Sequence, residues 1–600
     1  MKRIILILAL LLGITQWPIP TCAQAQVPYG YCPEGAAAGE LSALGIGNKS
    51  GFVQGMVCFD PTADPALGRM KGRDILGVRC YLRADYKQAK QKRSAILAGT
   101  GSPSNFVRTT YADFSEGWND VMFDEPLPID DERIYLGVQV YETVGTPYPL
   151  VTYAAATVPQ ACLVNLAKSQ WEEYTDRGTL LVEALLDDEA APCIEGTAYA
   201  QNTSHPQTVA PDRDFEGELY VHNFSSVPIQ SVEIAMQGQG AASPTLRTIE
   251  FDEPIGALGG RVVTTLLRSG SEEGTSANWT ATVTRINGTE AQPGRPGTTK
   301  LYVTRDDFQR TPLIEEFTSQ RCIACPQMAY FLDKAFKQYE GSYVYVSHHT
   351  GFQEDEFTTQ PDREILYFFG GYENEYNPAI MYNRSILEGE NQVIQGIREM
   401  SPTPYLEALA LAADMPAMAE VNIEATDSKV TVSGRVASDL VNAPLYLSCY
   451  LVEDGISTDK YFQKGMDDDD APSDLKDVFR HNGIILHYFT KEAIGDLLQV
   501  EDDATYSVSY PTVAKEGFGG TSRRLVAFVH KVDKASLRGN EVLNAAQQLL
   551  GNTGIEAPCH EGSDRRSADD KCYDLVGREI GKQRPARGMY IRNGKKWLAR

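Results

Sequence analysis

Long hydrophobic runs, positive charge and helical periodicity are what this sequence has least of. After Leu12 no segment approaches the roughly eighteen consecutive apolar residues that a membrane-spanning helix requires, so no transmembrane helix is expected. Lys and Arg number 55 against 80 Asp and Glu, a formal net charge of −25. Such a balance repels a nucleic-acid backbone and excludes nucleic acid as a partner. No period of about twenty to fifty residues recurs, which argues against a solenoid or propeller. A chain of 600 residues nevertheless exceeds what one hydrophobic core supports, so several domains are expected.

The chain opens on a basic Lys2-Arg3, an apolar stretch from Ile4 to Leu12 and a small-x-small site at Ala23-Gln24-Ala25. This pattern reads as a secretory signal peptide over residues 1–25. A lipid anchor on Cys22 is the competing reading, but Thr21 stands where Gly or Ala is wanted. The mature chain is therefore expected outside the cytoplasm, at the outer membrane or cell surface or secreted, with the periplasm as the alternative. Eleven cysteines become ten without Cys22, and an oxidising compartment allows them to pair, with a connectivity that spacing does not reveal. Cys32, Cys58, Cys80, Cys162 and Cys193 crowd the N-terminal third; Cys559 and Cys572 are close enough to close a small loop; Cys449 reads as a lone buried thiol.

Period-two segments broken by turn residues, such as "DILGVRCYLRADY" and "RIYLGVQVYETV", predict an antiparallel β-sandwich over 26–195. The polar, turn-rich stretch 187–214 reads as a linker. A smaller, immunoglobulin-like sandwich is expected over 210–306, although the disulfide and tryptophan signature of true immunoglobulins is missing. Over 307–416 helical spacing ("AYFLDKAFKQY") alternates with strands ("SYVYVSHH", "PAIMYN"), which implies an α/β layer. The β pattern returns over 417–555, and 556–600 reads as short strands joined by basic loops. The fold class is thus multidomain and mainly β, with sandwich modules flanking a central α/β domain.

The central domain opens on "LIEEFTSQRCIACPQMAYFLDKAF". Cys322 and Cys325 form a Cys-x-x-C between a strand and a helix. Zinc would need a second ligand pair, and His348 and His349, adjacent on a strand, point to opposite faces; no metal and no cofactor is expected. A helix N-terminus carries unsatisfied N–H groups and partial positive charge, which favour a thiolate at Cys322, with Arg321 adding to the field. Pro326 fits the first turn, where no amide donor is missed.

These residues resemble the thioredoxin-like superfamily. The resemblance implies that Cys322 attacks a substrate disulfide and that Cys325, more buried, resolves the mixed disulfide. Glu316 would be the buried acid that moves protons to and from Cys325. "NEYNPAIMYNR" is similar to the superfamily's cis-proline strand, which implies that Pro378 packs against the disulfide and Asn377 lies beside a bound substrate chain. The dipeptide Ile323-Ala324 and the Arg321 that replaces a tryptophan depart from that pattern and leave the redox poise open. More narrowly, "EEFTSQRCIACP", "VSHHTGF", "NPAIMYNR", "RHNGIILH" and "LVAFVHKV" together resemble the twenty-eight-kilodalton outer-membrane-protein family, a thioredoxin-like domain followed by a β domain. The N-terminal third resembles exported jelly-roll modules. The tail, with Tyr573-Asp574-Leu575 and Gly588-Met589-Tyr590-Ile591, resembles type IX secretion sorting segments.

Two functions from different classes remain open on the sequence. One is thiol–disulfide exchange on envelope or secreted proteins, with protein thiols and disulfides as partners and a reachable Cys322 sulfur. The other is a surface binding protein whose sandwiches contact glycan or protein, associated peripherally with the outer membrane, in which the Cys pair is a structural staple. The acidic run Asp467 to Asp470 lacks the spaced layout of a calcium loop and reads as solvated. Trp118 and Trp171 read as sandwich core before sugar platform.

Overall fold

The computed structural model describes residues 26–550 apart from 34, 39–40, 47–49, 167–169, 352–353, 371–376, 388–389, 391, 397–400, 468–470 and 535, together with the backbone of four C-terminal strands. The expected signal peptide, Cys559 and most of the acidic run lie outside the described residues. Strands dominate, in several sheets.

In the N-terminal region a seven-stranded and a six-stranded sheet face each other. The strand Gly51–Phe59 shows why: Val53, Val57 and Phe59 point into the inter-sheet core, while Met56 and Cys58 join a smaller cluster on the opposite face. Trp171 packs against that smaller cluster, and Trp118 stands edge-on to Tyr81 with centroids 5.6 Å apart. The stretch read as a linker is structured. Ala198–Ser204 is a strand paired with Asp214–Asn223; Tyr199 enters the first core while Ala198 and Ala200 enter the second, a small-residue pattern that hides burial in a polar-looking segment. The second unit packs a three-stranded against a five-stranded sheet around Trp279, whose indole N–H donates to the Arg268 carbonyl (2.8 Å).

Among the described residues no disulfide laces the N-terminal third. Cys32, Cys58 and Cys80 are buried free thiols and Cys193 a half-buried one, and Cys162 is buried as well. Cys80 and Cys162 belong to the inter-sheet core, Cys58 to the cluster on the outer face and Cys32 to a third cluster.

Nine of the remaining strands build one large sheet, interleaved in the chain with three longer helices. In chain order they are β1 (Leu313–Thr318), α1 (Cys325–Gln338), β2 (Val344–His349), α2 (Gln360–Gly370), β3 (Ala379–Tyr382), β4 (Gln395–Gly396), α3 (Thr403–Asp414), β5 (Leu445–Asp454), β6 (Ile484–Tyr488), β7 (Asp496–Leu497), β8 (Ser522–Lys531) and β9 (Val542–Leu549). The sheet order is β4-β3-β1-β2-β6-β5-β8-β9, with β7 beside β5. β1 and β2 run parallel through α1, and β3 is antiparallel to β1. The expected boundary at 416/417 therefore falls between strands of a shared sheet. Its seam is the parallel contact of β2 with β6 at Ser347 and Ile484, where the Ser347 N–H donates to the Gly483 carbonyl (2.8 Å). Leu313, Val344 and Val346 pack with Tyr450, Val526 and Phe528 across it. A three-stranded sheet (Asn422–Ala425, Lys429–Arg435, Thr505–Pro511) contributes the outer layer of the C-terminal core. The expected short tail strands are Cys572–Tyr573, Glu579–Gly581, Gly588–Arg592 and Lys595–Ala599, in one antiparallel sheet.

Candidate active site

All six residues of β1, LIEEFT, are buried. Alternation sends its two acids to opposite faces, and each face treats its acid differently. Glu315 meets Arg384 in a bidentate pair and also contacts His348 Nε2 (3.1 Å). His348 Nδ1 continues to Asp362 Oδ1 (2.9 Å), which accepts the Tyr488 hydroxyl (2.5 Å). Burial pushes the Glu315 carboxyl up, but Arg384 and the hydrogen bonds from His348 and Arg384 outweigh it and hold the group down at about 2. Glu316 has no such cation. Tyr345 donates its hydroxyl to Oε2, while Oε1 is buried without a hydrogen-bond partner. Burial pushes this carboxyl up to about 7, against the Tyr345 hydrogen bond and the charge of His349.

β1 leads through Thr318–Arg321 into the Cys pair. Cys322 and Cys325 are joined as a disulfide, Cα atoms 5.5 Å apart. Cys325 is the first residue of α1, and no side chain caps this helix end. Its own N–H donates to Cys322 Sγ (3.2 Å), so an orphan donor of the helix N-terminus is aimed at that sulfur. Pro326 sits in the first turn, where its missing N–H costs nothing. Arg321 is exposed, with its backbone N–H donating to Ser319 Oγ (3.2 Å).

The Asn377–Pro378 bond is cis and immediately precedes β3. Ala379 pairs with Phe317, so continuing the register sets Pro378 beside Thr318 at the end of β1 that feeds the Cys loop. Asn377 donates Nδ2 to the Thr350 carbonyl, and its Oδ1 is buried without a partner. Pro378 and the Cys loop thus share one end of β1, and Glu316 lies two residues back along the same strand. His348 and His349 point to opposite faces, as adjacent strand residues must. His349 Nδ1 contacts Asp355 Oδ2 (2.8 Å), and that same oxygen accepts the Gln320 N–H (2.7 Å), which ties β2 to the Cys loop. Burial works against ionisation of Asp355, but the His349 charge and these hydrogen bonds hold its carboxyl well below the usual range.

The two cysteines of the pair are nearly buried as residues. Cys322 is 5 % exposed and Cys325 1 %. The cover is a strap, residues 461–467, in the long connection between β5 and β6. Gln463 Nε2 donates to the carbonyls of Ser319 (3.2 Å) and Cys322 (3.1 Å). Lys464 N–H donates to the Gln320 carbonyl (2.8 Å), and Gln320 Nε2 to that of Phe462 (3.1 Å). Gly465, at φ +84°, lies so close to the Ile323 carbonyl that a Cβ would collide with it. The strap is anchored behind by Tyr461, whose carbonyl contacts His481 Nε2 (3.0 Å) and whose ring packs on Phe357 and Phe518. Beside the strap, Ile323 and Phe462 are about half exposed, at 49 % and 55 %. Sequence reading misses Gln463 altogether, because "YFQKG" carries no more than a turn signal. It also misses Arg384 and Tyr345, whose partners are set by sheet register.

No family model matches the chain, and no curated protein matches it. Among solved structures it is similar to HBP35 of Porphyromonas gingivalis, with 20% identity over 49% of this chain and 98% of that one and a TM-score of 0.33. It is also similar to a protein of Agrobacterium tumefaciens, with 14% identity over 42% of this chain and 99% of that one, TM-score 0.27. The CARDB domain of a Pyrococcus furiosus protein matches 18% of this chain and 86% of its own length at 18% identity, TM-score 0.13.

Proposed function

We propose that this chain is an exported envelope protein whose α/β unit is thioredoxin-like and performs thiol–disulfide exchange on other envelope or secreted proteins, the β-sandwich modules presenting or anchoring it. The observation that carries the reading is the placement of Cys322 Sγ on the first N–H of α1, on a loop fed by a strand that also holds the buried acid Glu316. In the reducing direction the Cys322 thiolate attacks a substrate disulfide and releases one substrate thiolate. Cys325 then displaces the second substrate sulfur, which leaves the Cys322–Cys325 disulfide and a substrate reduced by two electrons. The helix end lowers the cost of the Cys322 thiolate, and Glu316 takes the proton that Cys325 loses. The oxidising direction runs the same bonds backwards. In either direction the strap must give way for a substrate chain to dock at Cys322, a residue only 5 % exposed. Turnover of a protein or insulin disulfide by the full chain, abolished by Cys322→Ser, tests this; turnover indifferent to that change removes it.

That same cover favours a second reading. In it the α/β unit is a scaffold, the disulfide a staple, and the sandwiches bind glycan or protein at the cell surface. A disulfide that survives millimolar dithiothreitol in the folded protein, with no turnover, would decide for it.

A further inference from the structure

A cavity of about 530 Å³ opens between α1, β2 and the segment that precedes β6. Its apolar walls are aromatic: Tyr330 and Phe336 from α1, Tyr343 at the start of β2 and Phe479 from the β5–β6 connection. Three carboxylates line it. Asp454 is held by Arg524 (Nε to Oδ2, 2.8 Å) and Asp333 by Lys337 (2.5 Å). Glu316 is in no ion pair among the described residues, and one of its oxygens has no hydrogen-bond partner although the residue is 1 % exposed. An unpartnered buried carboxylate oxygen leaves a hydrogen-bonding place to be filled.

The other charged groups facing this one do not fill it. Tyr345 is spent on Oε2. His349 is engaged by Asp355 (2.8 Å). Arg524 is divided among Asp454, Gln547 and the Tyr345 carbonyl. Arg480 is exposed and donates to the Phe479 carbonyl (2.6 Å). His481 contacts the Tyr461 carbonyl, and burial pushes it down to about 4, so it is neutral at physiological pH. An aromatic box with one unneutralised carboxylate at its base is the chemistry that recognises a cation on an apolar body.

We propose that this cavity binds a small organic amine or guanidine, its charged head paired with Glu316 and its apolar body stacked among Tyr330, Phe336, Tyr343 and Phe479. Binding itself does not depend on the exchange reaction. Where exchange occurs, an occupied cavity would hold Glu316 ionised and so withhold it as a proton donor.

The probe is 2-phenylethylamine, titrated calorimetrically into the full chain at pH 8 and pH 6, with phenylacetate as the anionic control. The amine is expected to bind at pH 8 and about tenfold more weakly at pH 6, where Glu316 is mostly protonated. Phenylacetate is expected not to bind. Glu316→Gln is expected to weaken the amine at least tenfold at pH 8 and to abolish the pH effect. Should that variant fail to fold, Val478→Trp, a bulky substitution at a 41 % exposed lining position, is expected to weaken the amine in its place. No binding at millimolar amine, equal binding of the anion, or an affinity that neither variant changes would each overturn the proposal. A failure of turnover with amine binding intact would remove the exchange reading alone.

Discussion

Arg384 and Glu315, 69 positions apart, face each other through two hydrogen bonds of 2.9 Å with neither side chain exposed. Arg384 adopts φ +52° to reach β1, and its guanidinium lies over the Phe528 ring of β8 at 4.7 Å, so this pair joins the α/β half of the sheet to the C-terminal half. Removing one member of a buried ion pair leaves a charge in low dielectric, which costs about 3–5 kcal/mol. Arg384→Met is therefore expected to lower the unfolding free energy by that order, read from urea denaturation, and the double change with Glu315→Gln to recover part of the loss. Because the Glu315 carboxyl is held at about 2, below its ordinary 4.5, its stabilisation is complete above about pH 4.5 and is lost as the pH falls toward 2.

Glu316 behaves in the opposite sense. Its carboxyl is raised to about 7 from the usual 4.5, so the folded state holds a proton that the unfolded chain has released between those values. Stability then falls as the pH rises through this window, by about 3 kcal/mol at most. Glu316→Gln removes the effect. The variant is expected to match the parent at pH 4.5 and to be the more stable at pH 8, as measured by urea midpoints at the two pH values. Buried His222, His481 and His530, all held below the usual imidazole range, act in the opposite sense, so the test is the difference between variant and parent: a difference that does not change from pH 4.5 to 8 would contradict the burial of an uncompensated carboxyl.

The difference between these two acids is where sequence reading stops. "LIEEFTSQRCIACP" shows a strand, a turn and a helix start, and period two shows that Glu315 and Glu316 face apart. It does not show which face carries a cation, because Arg384 arrives from a left-handed position after β3. The adjacent histidines could be separated by alternation alone; their carboxylate partners, Asp362 and Asp355, could not. The sandwich modules were legible in outline from alternating apolar residues. The shared sheet was not, since β2 and β6 meet over one parallel residue pair. The strap is a polar connection with no periodicity, and its role exists only in its contact with the Cys loop.

The free cysteines are expected to resist alkylation in the folded protein. Burial pushes the Cys58 thiol up to about 11 and the Cys449 thiol up to about 12, and neither sulfur is accessible. Thiolate is the reactive form, so both should remain unmodified by iodoacetamide at pH 8 until denaturant is added. Cys193, half-buried, is expected to be modified first. Peptide mass spectrometry after timed labelling checks the order; early labelling of Cys58 or Cys449 would show that the strands holding them open readily.

The strap over Cys322 sets the accessibility of the disulfide and makes the sharpest kinetic prediction. It is held by the two carbonyls that Gln463 bridges and by reciprocal bonds between Gln320 and the 462–464 backbone. A hydrogen bond contributes about 1 kcal/mol net, so losing the two from Gln463 favours the open state by about 1–3 kcal/mol, on the order of ten- to a hundredfold. Gln463→Ala is expected to speed reduction of Cys322–Cys325 by dithiothreitol by at least about tenfold. Gly465→Ala, which pushes its Cβ into the Ile323 carbonyl and strains a φ of +84°, should act in the same direction. Reduction is followed by quenched-flow alkylation and mass spectrometry, with urea midpoints confirming that both variants remain folded. Faster reduction with raised turnover fits a gated exchange site; faster reduction without turnover fits a staple that the strap merely protects. Unchanged reduction rates in both variants would mean that the strap does not control entry, and that the low exposure of Cys322 has another cause in the packing of β1 against α1.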